Sequence, residues 1–442
     1  MAKALVAVVG RPNVGKSTFF NRIAGQRIAI VEDTPGVTRD RIYADAQWLG
    51  RTFTLIDTGG IDPSSEDVLL AQMRAQARIA IESCDLILFF VDARAGLTAD
   101  DQEVADLLRK AAKPVLLVVN KVDSPNQQDA MYDFYALGLA DPIPISSTNM
   151  LGLGDLLDEV VARLPPEEEE DPDAEHPVRV AVVGRPNVGK SSLVNRLLGE
   201  DRALVSDIPG TTRDAIDAPL EWKGRRYLLI DTAGMRRKRA IEEESIERYS
   251  IVRALAAVRR CDVALILVDA HEGVTEQDTN VAGFVCKEGK AAVIVVNKWD
   301  LVEKETGTLE TYRAEVLEAF KFMAYAPVLF ISALSGQRAF KTLEAASAAH
   351  AQASKRVTTG VLNDVVADAT AALQPPATGG RRLKVYYATQ QAVCPPTFVL
   401  FVNDIKLMHF AYERYLENQF RKAFGFEGTP IRMLLRERKK ED

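Results

Sequence analysis

Residues 6–25 read VAVVGRPNVGKSTFFNRIAG, and residues 180–199 read VAVVGRPNVGKSSLVNRLLG. The two stretches are identical at 15 of 20 positions and lie 174 residues apart. In each, an apolar run typical of a buried strand leads into a glycine-rich turn and then into a helical pattern. Because each copy has room for a complete domain, the repeat indicates a duplicated domain and not a solenoid.

Three further motifs recur in the same order along the two copies. They are PGVTRD (35–40) and PGTTRD (209–214), DTGG (57–60) and DTAG (231–234), and NKVD (120–123) and NKWD (297–300). The offset is 174 for the first two pairs and 177 for the third, and it changes before Cys84 and Cys261. Since each of these cysteines begins an apolar run, we expect both to be small buried residues without a reactive role.

Continuous runs of Val, Leu and Ile predict strands buried on both faces, as in a mostly parallel sheet covered by helices. In the first copy we expect strands near 4–9, 53–56, 86–91, 115–119 and 143–145. Helices are expected near 16–24, 66–82, 100–112 and 152–163. The second copy has strand patterns near 178–183, 227–230, 263–268, 292–296 and 328–331. The predicted fold class is α/β, with two doubly wound domains in tandem.

Residues 354–442 have the pattern of a small α+β domain. The predicted elements are a helix near 358–373, strands near 382–389 and 397–403, a helix near 408–424 and a strand near 430–436. The region has 14 Lys or Arg and 9 Asp or Glu, so it is the basic part of a chain with a formal net charge of −7. Gly425-Phe426-Glu427-Gly428 is interpreted as a turn that ends a helix, because a strand follows it and Glu427 would repel phosphate.

An acidic segment separates the two copies. Residues 165–177 carry seven acidic side chains, four prolines and no Lys or Arg, which is typical of a solvated linker. We therefore expect domains at 1–164, 178–353 and 354–442.

Length and composition are those of an ordinary globular protein. The chain has 442 residues, of which 47% are hydrophobic and 26% are charged. It has no run of 18 apolar residues and no signal-peptide pattern, so neither membrane spanning nor secretion is expected. The four cysteines lie far apart without zinc-site spacing, which favours the reducing cytoplasm.

The duplicated glycine-rich turn has the form of a P-loop, because it follows a strand and begins a helix. Its backbone N–H groups would surround phosphate oxygens, its lysine would reach the β- and γ-phosphates, and its serine would bind Mg²⁺. The residues predicted to bind phosphate are Gly10, Arg11, Pro12, Asn13, Val14, Gly15, Lys16 and Ser17 in the first copy, and Gly184, Arg185, Pro186, Asn187, Val188, Gly189, Lys190 and Ser191 in the second.

Two further motifs could bind the metal ion and the γ-phosphate. Thr38 and Thr212 lie 21 residues after the P-loop serines, where a hydroxyl could reach Mg²⁺. With Lys16 and Lys190 they are the predicted catalytic residues. The DxxG aspartates, Asp57 and Asp231, could hold Mg²⁺ through water. The predicted neighbours of the γ-phosphate are Thr58, Gly59 and Gly60, and Thr232, Ala233 and Gly234.

NKVD and NKWD predict a guanine nucleotide, so we expect GTP and GDP and not ATP. A carboxylate at Asp123 or Asp300 can accept from guanine N1–H and from the exocyclic amine, whereas adenine has neither donor in that arrangement. The other residues predicted to contact the nucleotide here are Asn120, Lys121, Asn297 and Lys298. Backbone N–H groups after the last strand of each copy would reach guanine O6, at Ser146 and Ser147 and at Ser332 and Ala333.

The residues that follow the DxxG motifs leave the attacking water without an obvious partner. Many regulatory GTPases have a glutamine there to orient water, but this chain has Ile61 and Met235. Water must then be oriented by backbone, by another residue or by a partner. The basic residues 236–239 follow the second motif directly, either as an RNA contact whose position changes with the nucleotide or as the charged start of a helix.

The order of motifs, the duplication, the acidic segment and the terminal α+β domain resemble the Der (EngA) family of bacterial tandem GTPases over essentially the whole chain. The resemblance implies a KH-like third domain and a role in maturation of the large ribosomal subunit, with rRNA and ribosomal proteins as partners. It also implies that Asn13 and Asn187 could coordinate K⁺, as in related potassium-activated GTPases; alternatively, each asparagine only favours the loop turn. Ser147-Thr148 departs from the alanine that is more usual in the family, but since only backbone contact is needed we expect binding to be kept.

Basic residues flank the predicted strands of the third domain. They could contact rRNA phosphates, contact the other domains or form a solvated face. They are Arg381, Arg382, Lys384, Arg432, Arg436, Arg438, Lys439 and Lys440.

Three functions are compatible with these residues. The leading hypothesis is a monomeric GTPase that switches conformation to bind and leave a pre-ribosomal particle. A second is a nucleotide-gated scaffold in which only one domain hydrolyses GTP. A third is a tRNA-modification or membrane-remodelling GTPase, which no amphipathic anchor or terminal catalytic cysteine supports.

Overall fold

The structure of the chain is a computed structural model. It describes residues 4–24, 43–57, 74, 77–78, 80–81, 84–111, 113–123, 125–165, 176–199, 217–231, 254–303, 305–375, 377–378 and 381–437. Two compact units are formed, 1–174 with 241–256 and 175–240 with 257–442. These two units do not correspond one to one with the three domains expected at 1–164, 178–353 and 354–442. The predicted domain limits therefore stay a prediction.

The first unit is built on a mostly parallel sheet. Its strands are β1 (Ala4–Val9), β2 (Tyr43–Trp48), β3 (Arg51–Asp57), β4 (Leu86–Asp92), β5 (Val115–Asn120) and β6 (Ile143–Pro144). They lie in the order β2-β3-β1-β4-β5-β6, and only the β2-β3 pair is antiparallel. The described helices include the α-helices Lys16–Ala24, Ala99–Arg109 and Leu153–Arg163 and the 3-10 helix Pro125–Leu137.

Both faces of this sheet are buried, as the continuous apolar strands predict. Along β1, Val6 and Val8 belong to a core that includes Phe20 of the first helix. Ala7 and Val9 belong to a separate core on the opposite face. Because side chains alternate along a strand, two cores on one strand require a helix layer on each side. The doubly wound α/β prediction is confirmed.

The second unit repeats this sheet. Its strands are β7 (Val178–Val183), β8 (Ala218–Trp222), β9 (Arg225–Ile230), β10 (Val263–Asp269), β11 (Ala291–Asn297) and β12 (Val328–Phe330). The order β12-β11-β10-β7-β9-β8 is that of the first sheet when equivalent strands are matched. The described helices include Lys190–Leu198, Glu276–Lys287, Thr308–Ala319 and Lys341–Ala353, with 3-10 helices Trp299–Leu301 and Lys321–Met323.

The C-terminal part of the second unit is the predicted α+β domain. Its strands are β13 (Ala377–Thr378), β14 (Arg381–Arg382), β15 (Val385–Ala392), β16 (Thr397–Val402) and β17 (Arg432–Glu437). β16 pairs antiparallel with β15 and parallel with β17. The helices are Thr359–Ala372 and Phe410–Phe424, with the 3-10 helix Ile405–Leu407. They pack on one face of the sheet around a core of Leu362, Phe398, Leu416 and Phe420.

Gly425 ends the last long helix, which confirms the interpretation of this turn. Its φ of 92° is one that glycine adopts without strain. The turn then packs against the second α/β sheet: Gly428 N–H donates to Tyr325 O at 2.7 Å, and Ala292 N–H donates to Gly428 O at 2.7 Å. A side chain at Gly428 would place its Cβ 2.6 Å from Cβ of Ala349. The turn therefore joins the α+β domain to the preceding α/β domain.

The antiparallel strands β2 and β8 are not predicted by the sequence. Polar residues such as Asp45, Gln47 and Glu221 interrupt them, because both strands lie at sheet edges where burial is incomplete. The helix Thr308–Ala319 also escapes prediction, since only its Val316 is buried. Most of the helix expected near 66–82 lies outside the described residues.

Cys84 and Cys261 are buried, as expected for equivalent core positions. Burial raises the pKa of the Cys261 thiol to about 12, so this group stays protonated at neutral pH. Among the described residues, none of the helices is both long enough and apolar enough to cross a membrane.

Candidate nucleotide sites

The two glycine-rich turns, 10–15 and 184–189, have the same backbone conformation. Asn13 and Asn187 each have a φ of 64°, a left-handed value that asparagine tolerates. Gly15 has a φ of 95°, and a side chain there would collide with the side-chain amide of Asn120. The second copy has the same close approach at its equivalent glycine. Each turn therefore needs glycine both for its conformation and for contact with the NKxD motif.

The P-loop lysines hold their amino groups against their own loops. Lys16 Nζ donates to the carbonyl oxygens of Gly10 and Arg11, the latter at 2.7 Å. Lys190 makes the two equivalent bonds at 2.6 Å each. Burial lowers the pKa of Lys16 to about 8, although Asp57 acts in the opposite direction. The lysine is thus placed at the start of the helix, where anions are stabilised.

A hydroxyl and a carboxylate meet where β3 ends. Ser17 Oγ donates to Asp57 Oδ2 at 3.0 Å. These are the oxygen ligands that Mg²⁺ takes, so the pair fits one ion held between the P-loop helix and the strand. In the second copy Ser191 is the second residue of the equivalent helix, and Asp231 follows β9 with a φ of 59°.

The asparagine of each NKxD motif connects β5 or β11 to the P-loop. Asn120 Nδ2 donates to Val14 O at 2.7 Å, and Asn297 Nδ2 donates to Val188 O at 2.8 Å. All four atoms are buried, where a hydrogen bond holds geometry most firmly. In each copy, the NKxD motif and the glycine-rich turn are therefore joined by a buried hydrogen bond.

The N–H groups expected to meet guanine O6 donate elsewhere in this structure. Ser147 N–H donates to Asn120 Oδ1 at 3.0 Å, and Ala333 N–H donates to Asn297 Oδ1 at 2.9 Å. The preceding N–H groups donate to carbonyl oxygens, Ser146 to Leu151 and Ser332 to Gln337. These bonds fix the turn after the last strand, and contact with O6 stays a prediction.

The NKxD lysines form ion pairs that the sequence did not reveal. Lys121 Nζ lies 2.5 Å from Asp92 Oδ2, and Lys298 Nζ lies 2.6 Å from Asp269 Oδ2. Burial would raise the pKa of Asp92, but hydrogen bonds from Lys121 and from backbone N–H groups hold it below its usual value. The available signal was that both aspartates end equivalent strands at the 177-residue offset.

The two aspartates predicted to read the base have different surroundings. Asp123 accepts hydrogen bonds from Ser146 Oγ at 2.7 Å, from Asn149 Nδ2 at 3.0 Å and from the Arg94 guanidinium. The Ser146 bond, followed by the contact with Arg94, keeps the pKa of Asp123 below its usual value. Asp300 is exposed in the short helix after β11.

The P-loop arginines have side chains directed to a neighbouring helix. Arg11 Nε lies 3.4 Å from Asp101 Oδ1, a fully buried carboxylate that also caps its helix together with Thr98. Arg185 Nε lies 3.4 Å from Asp278 Oδ2 in the second copy. Burial raises the pKa of both carboxyls, which the arginines oppose. These side chains tie the P-loop to the helix that follows β4 or β10.

Some predicted site residues lie outside the described part of the chain. They are Thr38, Thr58, Gly59, Gly60, Thr212, Thr232, Ala233 and Gly234, together with Ile61, Met235, the basic segment 236–239 and the basic C-terminal residues 438–440. Their roles stay predictions.

Two protein-family models match the chain. The family described as "50S ribosome-binding GTPase" matches residues 5–121 and 179–298. The family described as "KH-domain-like of EngA bacterial GTPase enzymes, C-terminal" matches residues 356–436. The first of these families matches twice, once in each copy of the internal duplication.

Relatives match over the full length. GTPase Der of Acetivibrio thermocellus is 60% identical over 442 residues, and GTPase Der of Ruminiclostridium cellulolyticum is 59% identical over 447 residues, with 100% of both chains covered in each case. The FeoB G-domain structure from Methanococcus jannaschii is 25% identical, covers 37% of this chain and 98% of its own, and has a TM-score of 0.28. Full-length identity and both domain matches show that this chain belongs to the GTPase Der family, as a GTP-binding and GTP-hydrolysing protein with two GTPase domains and a KH-like domain.

Proposed function

We propose that this chain is a guanine-nucleotide switch in assembly of the large ribosomal subunit. The observation that carries guanine-nucleotide binding is the repeated hydrogen bond from the NKxD asparagine to the P-loop, Asn120 to Val14 and Asn297 to Val188. In both copies this bond connects the motif that we expect to read the base with the loop that we expect to bind phosphate. The ribosome-binding description of the matched family and the KH-like domain support an rRNA partner.

We assign the roles within each site from the motifs of the two copies, together with the contacts of those residues that the structure describes. Lys16 and Lys190 bind phosphate, and Ser17 with Asp57 holds Mg²⁺, as does the equivalent pair in the second copy. A Mg²⁺ ion there would neutralise charge on the phosphates. Asp123 and Asp300 read the guanine edge. Thr38 and Thr212 complete the γ-phosphate environment.

Potassium dependence belongs to the same proposal. Asn13 and Asn187 have a left-handed backbone, which asparagine tolerates better than most residues, so the preference of asparagine for such turns is enough to explain why it occurs here. Support for K⁺ comes instead from Ile61 and Met235, which can neither orient the attacking water, as the glutamine of many regulatory GTPases does, nor stabilise charge, so that a bound cation would supply the missing stabilisation of the transition state. GTP hydrolysis should be faster in KCl than in NaCl at equal ionic strength. Equal rates in the two salts would exclude the assignment.

Cosedimentation with purified large subunits tests the partner. Binding should differ between GDP and a non-hydrolysable GTP analogue, and it should weaken as salt rises, because phosphate contacts release counterions. Arg237→Glu with Arg239→Glu should reduce binding while leaving GTP affinity intact. Lys321→Glu with Arg225→Glu, at exposed positions of the second unit, is the matched control. Undiminished, salt-insensitive binding of the first variant would place the ribosomal contact elsewhere.

A further inference from the structure

We infer that the first nucleotide site carries a base latch, formed by Arg94 and Asn149, which competes with guanine for Asp123 and has no counterpart in the second site. This inference rests on the proposed reading of guanine by Asp123 and Asp300. It names two residues that set the relative nucleotide affinity of the two domains.

The contacts around Asp123 leave little room for a ligand. Oδ1 accepts from Ser146 Oγ at 2.7 Å and from Asn149 Nδ2 at 3.0 Å, while Oδ2 accepts from Arg94. A carboxylate has about two lone-pair directions on each oxygen. Oδ1 is therefore filled by two donors, and the guanidinium lies on the other oxygen.

Guanine needs both oxygens of this carboxylate at once. Its N1–H and its exocyclic amine point side by side from one N–C–N edge, so one donor must reach each oxygen. Of the two donors on Oδ1, Ser146 is buried and makes the shorter bond, so the exposed Asn149 is the one that must release this oxygen. Arg94 presents one nitrogen of its planar N–C–N guanidinium to Oδ2, so it is a partial mimic of the guanine edge within the site. Nucleotide binding must displace this mimic.

The second site differs at both latch positions. The 177-residue offset places His271 where the first copy has Arg94. Ser335 stands in place of Asn149, because the backbone N–H of each donates to the first serine of its turn, Asn149 at 3.1 Å and Ser335 at 3.2 Å. A serine side chain is too short to make the amide's contact. Within the described ranges, the structure records no hydrogen bond or ion pair to the Asp300 carboxylate.

The latch should have a modest, salt-dependent effect. The Arg94 side chain is 64% exposed and that of Asp123 is 22% exposed. Ion pairs with this much solvent exposure contribute little free energy, and salt screens the attraction between their charges. We expect the first site to bind GDP more weakly than an otherwise equal site without the latch, by a few-fold at low ionic strength.

The test uses the full chain with Asp300→Asn, so that only the first site reads guanine. Arg94→His with Asn149→Ser copies the second site, and calorimetry measures GDP affinity at low and high salt. We expect binding tighter by roughly 3- to 10-fold at low salt, with the gain falling below about 2-fold at high salt. The reciprocal exchange, His271→Arg with Ser335→Asn in an Asp123→Asn chain, should weaken the second site by a similar factor.

Arg109→His is the matched control, since Arg109 is an exposed arginine of the same unit that pairs with Asp106 in its own helix. It should leave GDP affinity unchanged. Weaker or unchanged GDP binding by the Arg94 variants would overturn the latch, as would a gain of equal size at high salt. Arg94→His alone tests the ionic part if the double variant fails to fold. If instead the Asp123→Asn and Asp300→Asn chains keep full GDP affinity, the proposed base reading fails, which is a separate outcome.

Discussion

Among single residues, Lys16 is one whose burial has a functional consequence. Its pKa of about 8 means that the folded chain binds fewer protons here than the unfolded chain, in which a lysine titrates near the ordinary value of 10.5. The free energy of unfolding should therefore rise with pH between these two values. Bound phosphate favours the ammonium form, so nucleotide binding above pH 8 should take up a proton.

Calorimetry of GDP binding in buffers of different ionisation enthalpy measures this uptake. With the Asp300→Asn chain, which isolates the first site, we expect greater proton uptake at pH 8.5 than at pH 7, because more of the Lys16 amine is neutral in the free chain at the higher pH. Lys16→Arg, which does not titrate in this range, should abolish the difference. Equal uptake at both pH values in the parent chain would show that Lys16 does not titrate near pH 8.

Single residues also show where sequence reasoning stops. The P-loop residues and Asn120 could be predicted, because phosphate and guanine impose fixed spacings on the chain. The ion pair of Asp92 with Lys121 and that of Arg11 with Asp101 could not, since a charge gains a partner only once β4 and its neighbours bring distant segments together. The ion pair of Arg94 with Asp123 could not be predicted for the same reason.

At the scale of elements, burial decides what the sequence reveals. β4 and β10 are buried at every position and read as unbroken apolar runs. The edge strand β2 alternates polar and apolar residues over six positions, which is the pattern of a half-buried strand, but it lacks the unbroken apolar run by which the central strands are recognised. The helix Thr308–Ala319 mixes polar and apolar residues but buries only Val316, so its sequence gives a weak helical signal and its stability depends on packing.

The turn at 425–428 gives a prediction at this scale. Gly428→Ala would place a Cβ 2.6 Å from Cβ of Ala349 at a φ of 77°. We expect a loss of about 1–3 kcal/mol in the free energy of unfolding of the second unit, because the backbone must leave its position between Tyr325 and Ala292. Thermal or denaturant unfolding of the full chain measures this.

Gly360→Ala is the control for that variant. It lies in the helix Thr359–Ala372, where an added Cβ meets nothing within 4 Å. Alanine there should be neutral or slightly stabilising, by up to about 1 kcal/mol. If the two variants behave alike, the turn does not dock the KH-like domain as the structure describes.

At the scale of the whole molecule, the two copies share the contacts of the P-loop and the NKxD motif but differ in the residues around the NKxD aspartate. The P-loop conformation, the asparagine bond to it and the lysine ion pair recur with nearly equal distances in both copies. The residues around the NKxD aspartate differ: they are Arg94 and Asn149 in the first copy and His271 and Ser335 in the second. The central claim is that both copies bind guanine nucleotide through one aspartate each.

Counting GDP sites by calorimetry tests that claim most directly. The parent chain should bind two GDP, Asp123→Asn and Asp300→Asn one each, and the double variant none, because an amide N–H facing the guanine donors costs on the order of 100-fold in affinity. Each variant site should instead accept xanthosine diphosphate, whose C2 carbonyl can receive the new amide N–H, and this shows that the site is folded. Two GDP bound with parent affinity by either single variant would contradict the account.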